Sequence, residues 1–391
     1  MKKRAFITGK AMICSLSDSL EEIVDAVRHK RIRVEPIPFT LACLPYTKPY
    51  CLIHRNEGDK LDNRSEEYFY EVLFSAVSRA LLDAGLEGEE IKDMDVFFGS
   101  TSMEIPVFAG NDLKTSSNVS EMFLKSSCGF GKIAGAIVER FGIRGRCYSF
   151  ATACTSSANA LLYAAAMIEE RQIERALVVG YDLFNNLIFY GFESLKSLAA
   201  SDYKPFDRRR NGLILGEACG AVVLEGRRRK SDDFMYLGGA NLCDTYSVTS
   251  HDEGGSAVAE TMNRALRQAK IGPGDICAIK AHATGTENND KTECAAMRIT
   301  FGRAVPPVTC VKPFIGHTAG ACGVSELILF TECVKAGFIP ATPGFQEADE
   351  EMNLMPVTEN MEVGEGIFML NYFGFGGNCT TLILSNKGNE G

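Results

Sequence analysis

Three residues in this chain have the type and setting for covalent chemistry: Cys154, His282 and His317. Cys154 lies in FATACTSSA (150–158), where a strand-like run ends and an Ala/Ser-rich helical run begins. Small neighbours permit a sharp turn and keep the thiol accessible. The start of a helix favours the thiolate, which is the nucleophilic form of cysteine. A buried structural cysteine ahead of a helix fits this segment equally well, since free cysteine packs as a small apolar residue.

His282 lies in AHATGT (281–286) and His317 in KPFIGHTAG (312–320), each after a strand-like run. Gly, Thr and Ala on both sides let backbone approach a ligand, and threonine hydroxyls can bond its amides. Imidazole is the usual group for moving protons, or for donating to a developing oxyanion, near neutral pH. Either histidine alone reads as a satisfied loop residue. Two with matching flanks among only five in the chain read as a pair. Lys312 precedes His317 by five residues. An ordinary lysine is solvated, but one in a loop beside a histidine tunes its protonation.

The fourth chemical segment is NYFGFGGN (371–378), between two strand-like runs. Its glycines permit positive φ and expose backbone N–H groups, which suits an oxyanion hole. Phe375 would swing on this backbone as a gate, with Phe373 and Gly374 beside it. The plain alternative is a hairpin loop with a packed phenylalanine. The segment opens no helix and carries no GK[ST], so it is not a phosphate loop.

These segments must be positioned by alternating elements. Strands are expected at Arg4–Thr8, Asp95–Phe98, Cys147–Ala151, Ala176–Val179 and Ala221–Leu224. Helices are expected over Tyr68–Ala84, Gly131–Phe141 and Ser156–Glu170. After GRRRKSDD (226–233) the pattern restarts, with strands at Met235–Cys243, Ile276–His282, Val308–Val311, Gly366–Tyr372 and Thr380–Ser385. The helices of this part are Ser256–Lys270, Lys291–Phe301 and Gly323–Ala336. Alternation of this kind argues for an α/β protein. Two comparable halves follow, 1–228 carrying the cysteine and 229–391 carrying both histidines and the glycine-rich loop. A duplicated fold would place a site between them.

Composition narrows the function class. The chain has 391 residues, 46% hydrophobic and 23% charged, an ordinary globular balance. A net charge of −9 opposes nucleic-acid binding but not a local patch for an acidic protein. None of the 14 cysteines forms C-x-x-C, so neither a metal site nor a redox pair is indicated. The chain is far too long for a disulfide scaffold, so a reducing compartment is expected. The start lacks a sustained apolar run, and no stretch is long enough to span a bilayer. A cytoplasmic protein is the expectation.

Together these segments resemble the elongating β-ketoacyl–acyl carrier protein synthases (type I/II) of the thiolase-like superfamily. The likeness rests on TACTSSA around Cys154, PFDRRRNGLILGEACG at 205–220, HATGT at His282, KPFIGHTAGACG at Lys312, and NYFGFGGN. The order Cys, His, His sets this branch apart from initiating synthases, with Cys, His and Asn, and from thiolases, with a second cysteine. The resemblance implies a five-layered αβαβα arrangement of two duplicated α/β halves, usually as a homodimer. It implies acyl transfer from a carrier protein's phosphopantetheine to Cys154, then decarboxylative condensation with malonyl–carrier protein. The pantetheine arm comes with that substrate, and no bound cofactor or metal is implied. His282 and His317 would support decarboxylation; which one deprotonates the thiol stays open. The N–H groups of Cys154 and Phe375 would form the oxyanion hole. Lys312 would organise charge, Glu326 would anchor it, Thr284 and Thr286 would bond the pantetheine, and Asp244 would lie in a loop opposite the Phe375 gate. Lys204 and Arg208–Arg210 would meet the acidic carrier, or form an exposed charged loop.

Departures bear on the substrate. HATGT replaces the commoner HGTGT, Tyr372 stands where a small residue is usual, and Asn378-Cys379 replaces Thr-Asn. Ser100–Asn118, where the family lines its acyl pocket, fits the pattern poorly. These departures suit a specialised ketosynthase, such as one making aryl polyenes, working as a homodimer or beside a cysteine-less chain-length factor. A non-catalytic ketosynthase-like subunit and a thiol hydrolase are the further alternatives.

Overall fold

The computed structural model describes residues 3–41, 44–54, 66–101 and 131–388. Most of the Ser100–Asn118 segment lies outside the described residues. The first half of the main sheet uses β1 (Ala5–Cys14), β4 (Asp95–Gly99), β5 (Cys147–Phe150), β6 (Arg175–Asp182) and β8 (Ala218–Glu225). Between them, β2 (Glu35–Leu41) and β3 (Leu44–Cys51) form a hairpin, and β3 also pairs with the short β7 (Leu215–Gly216). The second half uses β9 (Phe234–Cys243), β10 (Ile276–Lys280), β11 (Val308–Thr309), β14 (Ile367–Gly374) and β15 (Asn378–Ser385). A small pair, β12 (Phe338–Ile339) with β13 (Met361–Glu362), sits apart.

The ten main strands form one sheet in the order β11-β10-β14-β15-β9-β1-β8-β6-β4-β5. Each half repeats one pairing scheme. Its first strand runs antiparallel to its last, the last antiparallel to the next, and two parallel pairings follow. Within this sheet, among the described residues, the halves pair only through Ala5–Ile7 of β1 against Phe234–Tyr236 of β9. Every residue of β1 and β8 is buried, as expected of strands covered on both faces.

Helices Ser156–Glu169 and Cys322–Lys335 pack on each other between the halves. Both are apolar or small on nearly every face, so they cannot sit at a surface. Helix Glu66–Asp83 covers β1 and β8 from outside, and helix Ser256–Ala269 covers β9 and β15. The result is the αβαβα layering expected from the resemblance.

Several local differences matter to the site. β10 ends at Lys280, so His282 belongs to the loop after it. β11 is only two residues long, and Lys312 opens a short helix, Lys312–Ile315. The β2–β3 hairpin was not expected, because Pro36, Pro38, Pro45 and Pro49 mask its pattern. Helices Leu20–Arg28 and Asn186–Ser194 are likewise additions to the sequence reading.

Candidate active site

Cys154 sits in a 3-10 turn, Ala153–Thr155, between β5 and helix Ser156–Glu169. Ala153 takes a left-handed φ of 50° to make the turn, a conformation disfavoured for any residue with a Cβ. The turn is tied down on several sides. Asn159 Nδ2 donates to Thr152 Oγ1 at 2.8 Å, and Thr380 on β15 donates to Asn159 Oδ1 at 2.7 Å. The Cys322 thiol donates to the carbonyl of Cys154 at 2.8 Å. Gly374 completes the wall, since a Cβ there would lie 3.0 Å from the backbone N of Cys154. The glycine-rich loop thus brings its backbone against the nucleophile.

The thiol differs from the sequence expectation. Burial pushes the Cys154 thiol up to about 12, with Lys312 opposing the shift only in part. The resting group is a thiol, not a thiolate, because desolvation outweighs the favourable start of the helix.

His282 and His317 are both buried, with ring centroids 5.5 Å apart and planes at 87°. Glu293 anchors the first loop by accepting from the backbone N–H of His282 at 2.9 Å and of Ala283 at 2.8 Å. Burial pushes the Glu293 carboxyl up to about 7. Ala283 has a φ of 38°, so alanine in place of the commoner glycine strains this loop. His317 is held by its own N–H, which donates to Ile214 O at 2.7 Å. Its ring Nδ1 is buried without a hydrogen-bond partner.

Lys312 is fully buried and 2.8 Å from Glu326 Oε1. Burial alone would lower it, but Glu326 overrides burial and the net shift is upward. The ammonium therefore persists, and its Nζ lies 3.1 Å from His282 Nδ1. An ammonium can only donate, so Nδ1 of His282 accepts and the ring proton resides on Nε2. Burial, then the Lys312 charge, holds His282 well below the usual imidazole range, and His317 likewise. Both rings are neutral at working pH and can donate to an anion without a charge of their own.

A cavity of about 320 Å³ joins these groups. Cys154, His282, His317, Thr284, Thr286, Phe373, Gly374 and Phe375 all line it. The Thr284 and Thr286 hydroxyls are 2.8 Å apart. Phe375 stacks on Phe192 with centroids 5.4 Å apart. Lys312 and Glu326 lie behind the wall. Asp244 is also outside the cavity lining. It ties two loops together, its N–H donating to Gly377 O at 2.7 Å and its carboxylate accepting from the backbone of Tyr246 and Asp252.

The basic segment divides. Arg208 and Arg209 are exposed and face Glu347 and Gln346. Arg210 is only 3% exposed and bonds Asp349, so it is internal. Lys204 pairs with Asp202 at 3.2 Å.

Three site residues escaped the sequence reading. Phe192 and His251 line the cavity, and Lys280 shares Glu326 from behind it. Phe192 comes from a helix that the sequence pattern did not mark. His251 follows a polar loop with no motif around it. Among the described residues there is no cluster able to hold a metal ion, and no helix is long and apolar enough to cross a membrane.

The chain is similar to known proteins over nearly its whole length. The family described as Beta-ketoacyl synthase, N-terminal domain, matches residues 55–230, and its C-terminal counterpart matches 236–346. A 3-oxoacyl-acyl-carrier-protein synthase 2 of Coxiella burnetii is 26% identical over 410 residues, covering 98% of this chain and 99% of that protein. The solved ishigamide ketosynthase/chain length factor superposes with a TM-score of 0.86 at 26% identity, over 99% of this chain and 100% of that one. A chain of the AntDE:AntF complex, a type II PKS acyl-carrier protein with its ketosynthase, gives a TM-score of 0.88 at 18% identity, over 98% and 99% of the two chains. With the layered duplicated fold and these matches across both halves, the chain belongs to the beta-ketoacyl synthase family.

Proposed function

We propose that this chain is a 3-oxoacyl–acyl carrier protein synthase that condenses an acyl group on Cys154 with malonyl–acyl carrier protein. The observation that carries this reading is one cavity holding a helix-start cysteine and two buried, neutral imidazoles, with Lys312 fixing the proton of one on Nε2. Two neutral imidazoles lining one cavity suit an enolate; a hydrolase would need a single base.

In the first half-reaction the Cys154 sulfur attacks the carrier-bound thioester. The S–acyl bond forms, the pantetheine sulfur leaves, and the thiol proton goes with it. In the second, malonyl–carrier protein loses CO2 and the C–C bonding pair remains as an enolate. Nε2–H of His282, with His317, stabilises the enolate oxygen. The carbanion attacks the acyl carbon, the C–S bond to Cys154 breaks, and a proton from solvent restores the thiol. Thr284 and Thr286 serve the pantetheine arm, Phe375 gates the cavity, and the backbone N–H groups of Cys154 and Phe375 hold the tetrahedral oxyanion. The pantetheine arrives on the carrier, so the protein requires no cofactor of its own. Carrier-protein docking draws support from the AntDE:AntF complex. The buried cysteines among the described residues are free thiols, which suits a reducing, cytoplasmic setting.

A second reading concerns the partner. The match to a ketosynthase/chain length factor pair favours a specialised polyene or polyketide role in which the second chain lacks the cysteine. The test supplies acyl– and malonyl–carrier proteins to the purified chain, alone and with its co-purifying partner. Equimolar CO2 and 3-oxoacyl product are expected; neither appearing under both conditions removes the condensing function.

A further inference from the structure

Lys280 is the last residue of β10, two positions before His282, and its side chain is as buried as Glu326. Its Nζ lies 2.6 Å from Glu326 Oε2 and donates to the carbonyl of Asn371 at 2.7 Å. The ammonium sits 3.6 Å over the centre of the Tyr372 ring. Lys312 takes the other carboxylate oxygen and reaches His282. An unbroken polar chain therefore runs from the backbone of β14 through Lys280, Glu326 and Lys312 to the imidazole.

One carboxylate balances one lysine. A second fully buried ammonium is expensive unless something compensates it. Glu293, the other nearby carboxyl, directs its oxygens to the N–H groups of His282 and Ala283 and to the Asn371 amide. The remaining groups that interact with Lys280 or Glu326 are the phenols of Tyr372 and Tyr203, the thiols of Cys154, Cys322 and Cys310, and the imidazoles of His282 and His317. Burial holds all of these neutral. Burial and the Lys312 charge lower Lys280 from its ordinary value, and Glu326 opposes them; while Lys280 stays charged, the Lys280–Glu326–Lys312 group carries an excess positive charge of its own behind a cavity proposed to form an anion.

We propose that Lys280 is a positioning residue of the condensing site, holding Glu326 and through it Lys312, so that His282 presents Nε2–H to the cavity in a field favouring the enolate. This rests on the proposed condensation. It also gives Tyr372 a purpose: its ring face accommodates the second ammonium, where a small side chain would leave that cation uncovered.

The chain has only five histidines, so 15N-histidine spectra resolve their tautomers directly. In the wild type, His282 is expected as the Nε2–H tautomer and neutral well below the usual imidazole range. Lys280→Gln keeps two donors and removes the charge. It should mix the His282 tautomers and slow malonyl decarboxylation about tenfold, the effect of roughly one pK unit of charge interaction. Losing a positive neighbour raises an imidazole, so the acid limb of the rate profile should move up by about half a pH unit or more. Acylation of Cys154 should fall by less than decarboxylation, since the thiol interacts with Lys312 and Glu326 but not directly with Lys280. Lys280→Met should do the same more strongly. Unchanged tautomer, limb and rate in Lys280→Gln would overturn the proposal. So would a uniform loss of every activity in step with melting temperature, or an Nδ1–H tautomer for His282 in the wild type. If the wild type releases no CO2 from malonyl–carrier protein, the condensing function fails, while the spectra still decide whether Lys280 governs His282.

Discussion

At the scale of single residues, the protonation of Cys154 decides how the first half-reaction starts. A thiol held near 12 is almost wholly protonated at pH 7, and its thiolate fraction rises tenfold per pH unit until the pKa is reached. Iodoacetamide labelling of Cys154, followed by mass spectrometry, should therefore climb from pH 7 to about 10 without levelling. A plateau near neutrality would contradict this. His317 carries an unpartnered buried Nδ1 in the cavity wall. His317→Ala should reduce malonyl decarboxylation by about 100-fold or more while sparing much of the acyl transfer, as for removal of one oxyanion donor. CO2 release at the wild-type rate would remove His317 from that role. Cys154, His282, His317 and Lys312 were legible because their flanks are small and rich in glycine, threonine or serine. Lys280 was not: its partners lie 46 and 91 residues away, and a lysine in a sequence reads as solvated.

At the scale of elements, two loops govern access. The Asp244 loop and the glycine-rich turn are zipped by Asp244 N–H to Gly377 O and Gly376 N–H to Val248 O, both 2.7 Å. Gly377 has a φ of 77°, and a Cβ there would lie 1.8 Å from Asp244 O. Gly377→Ala should cost about 2–3 kcal/mol and separate the two loops. Calorimetry checks the first effect, and an increased KM for acyl–carrier protein the second. The loop after β10 should respond in the opposite sense. Ala283→Gly releases a left-handed alanine and should raise stability by about 0.5–1 kcal/mol after the entropy of the unfolded glycine is counted. A lower melting temperature would show that the Ala283 methyl packs better than its backbone suffers. The periodic helices and apolar strands were readable in the sequence to within a few residues. The β2–β3 hairpin was not, because its prolines imitate a loop, and the end of β10 was not, because HATGT continues an apolar run into a turn.

At the scale of the whole molecule, duplication explains where the cavity lies. The two inner helices carry Cys154 at the start of one and follow the His317 loop at the start of the other. Their packing brings both halves to one point, which alternation of elements suggested but only the shared strand pairing of β1 and β9 displays. Among the described residues β5 ends the sheet, with Cys147, Ser149 and Tyr163 exposed beside a cluster of aromatic rings. That edge suits a second chain of the same fold, so native mass spectrometry should find a dimer, of two copies or with a chain-length partner. A stable monomer active in condensation would contradict this arrangement. The central claim is that Cys154 carries the growing chain. The most direct measurement is the intact mass of the protein after exposure to acyl–carrier proteins of varied length and unsaturation. One acyl mass should appear on Cys154, be absent in Cys154→Ala, and be lost on adding malonyl–carrier protein. An unmodified wild-type protein, or an adduct that survives Cys154→Ala, would contradict the account.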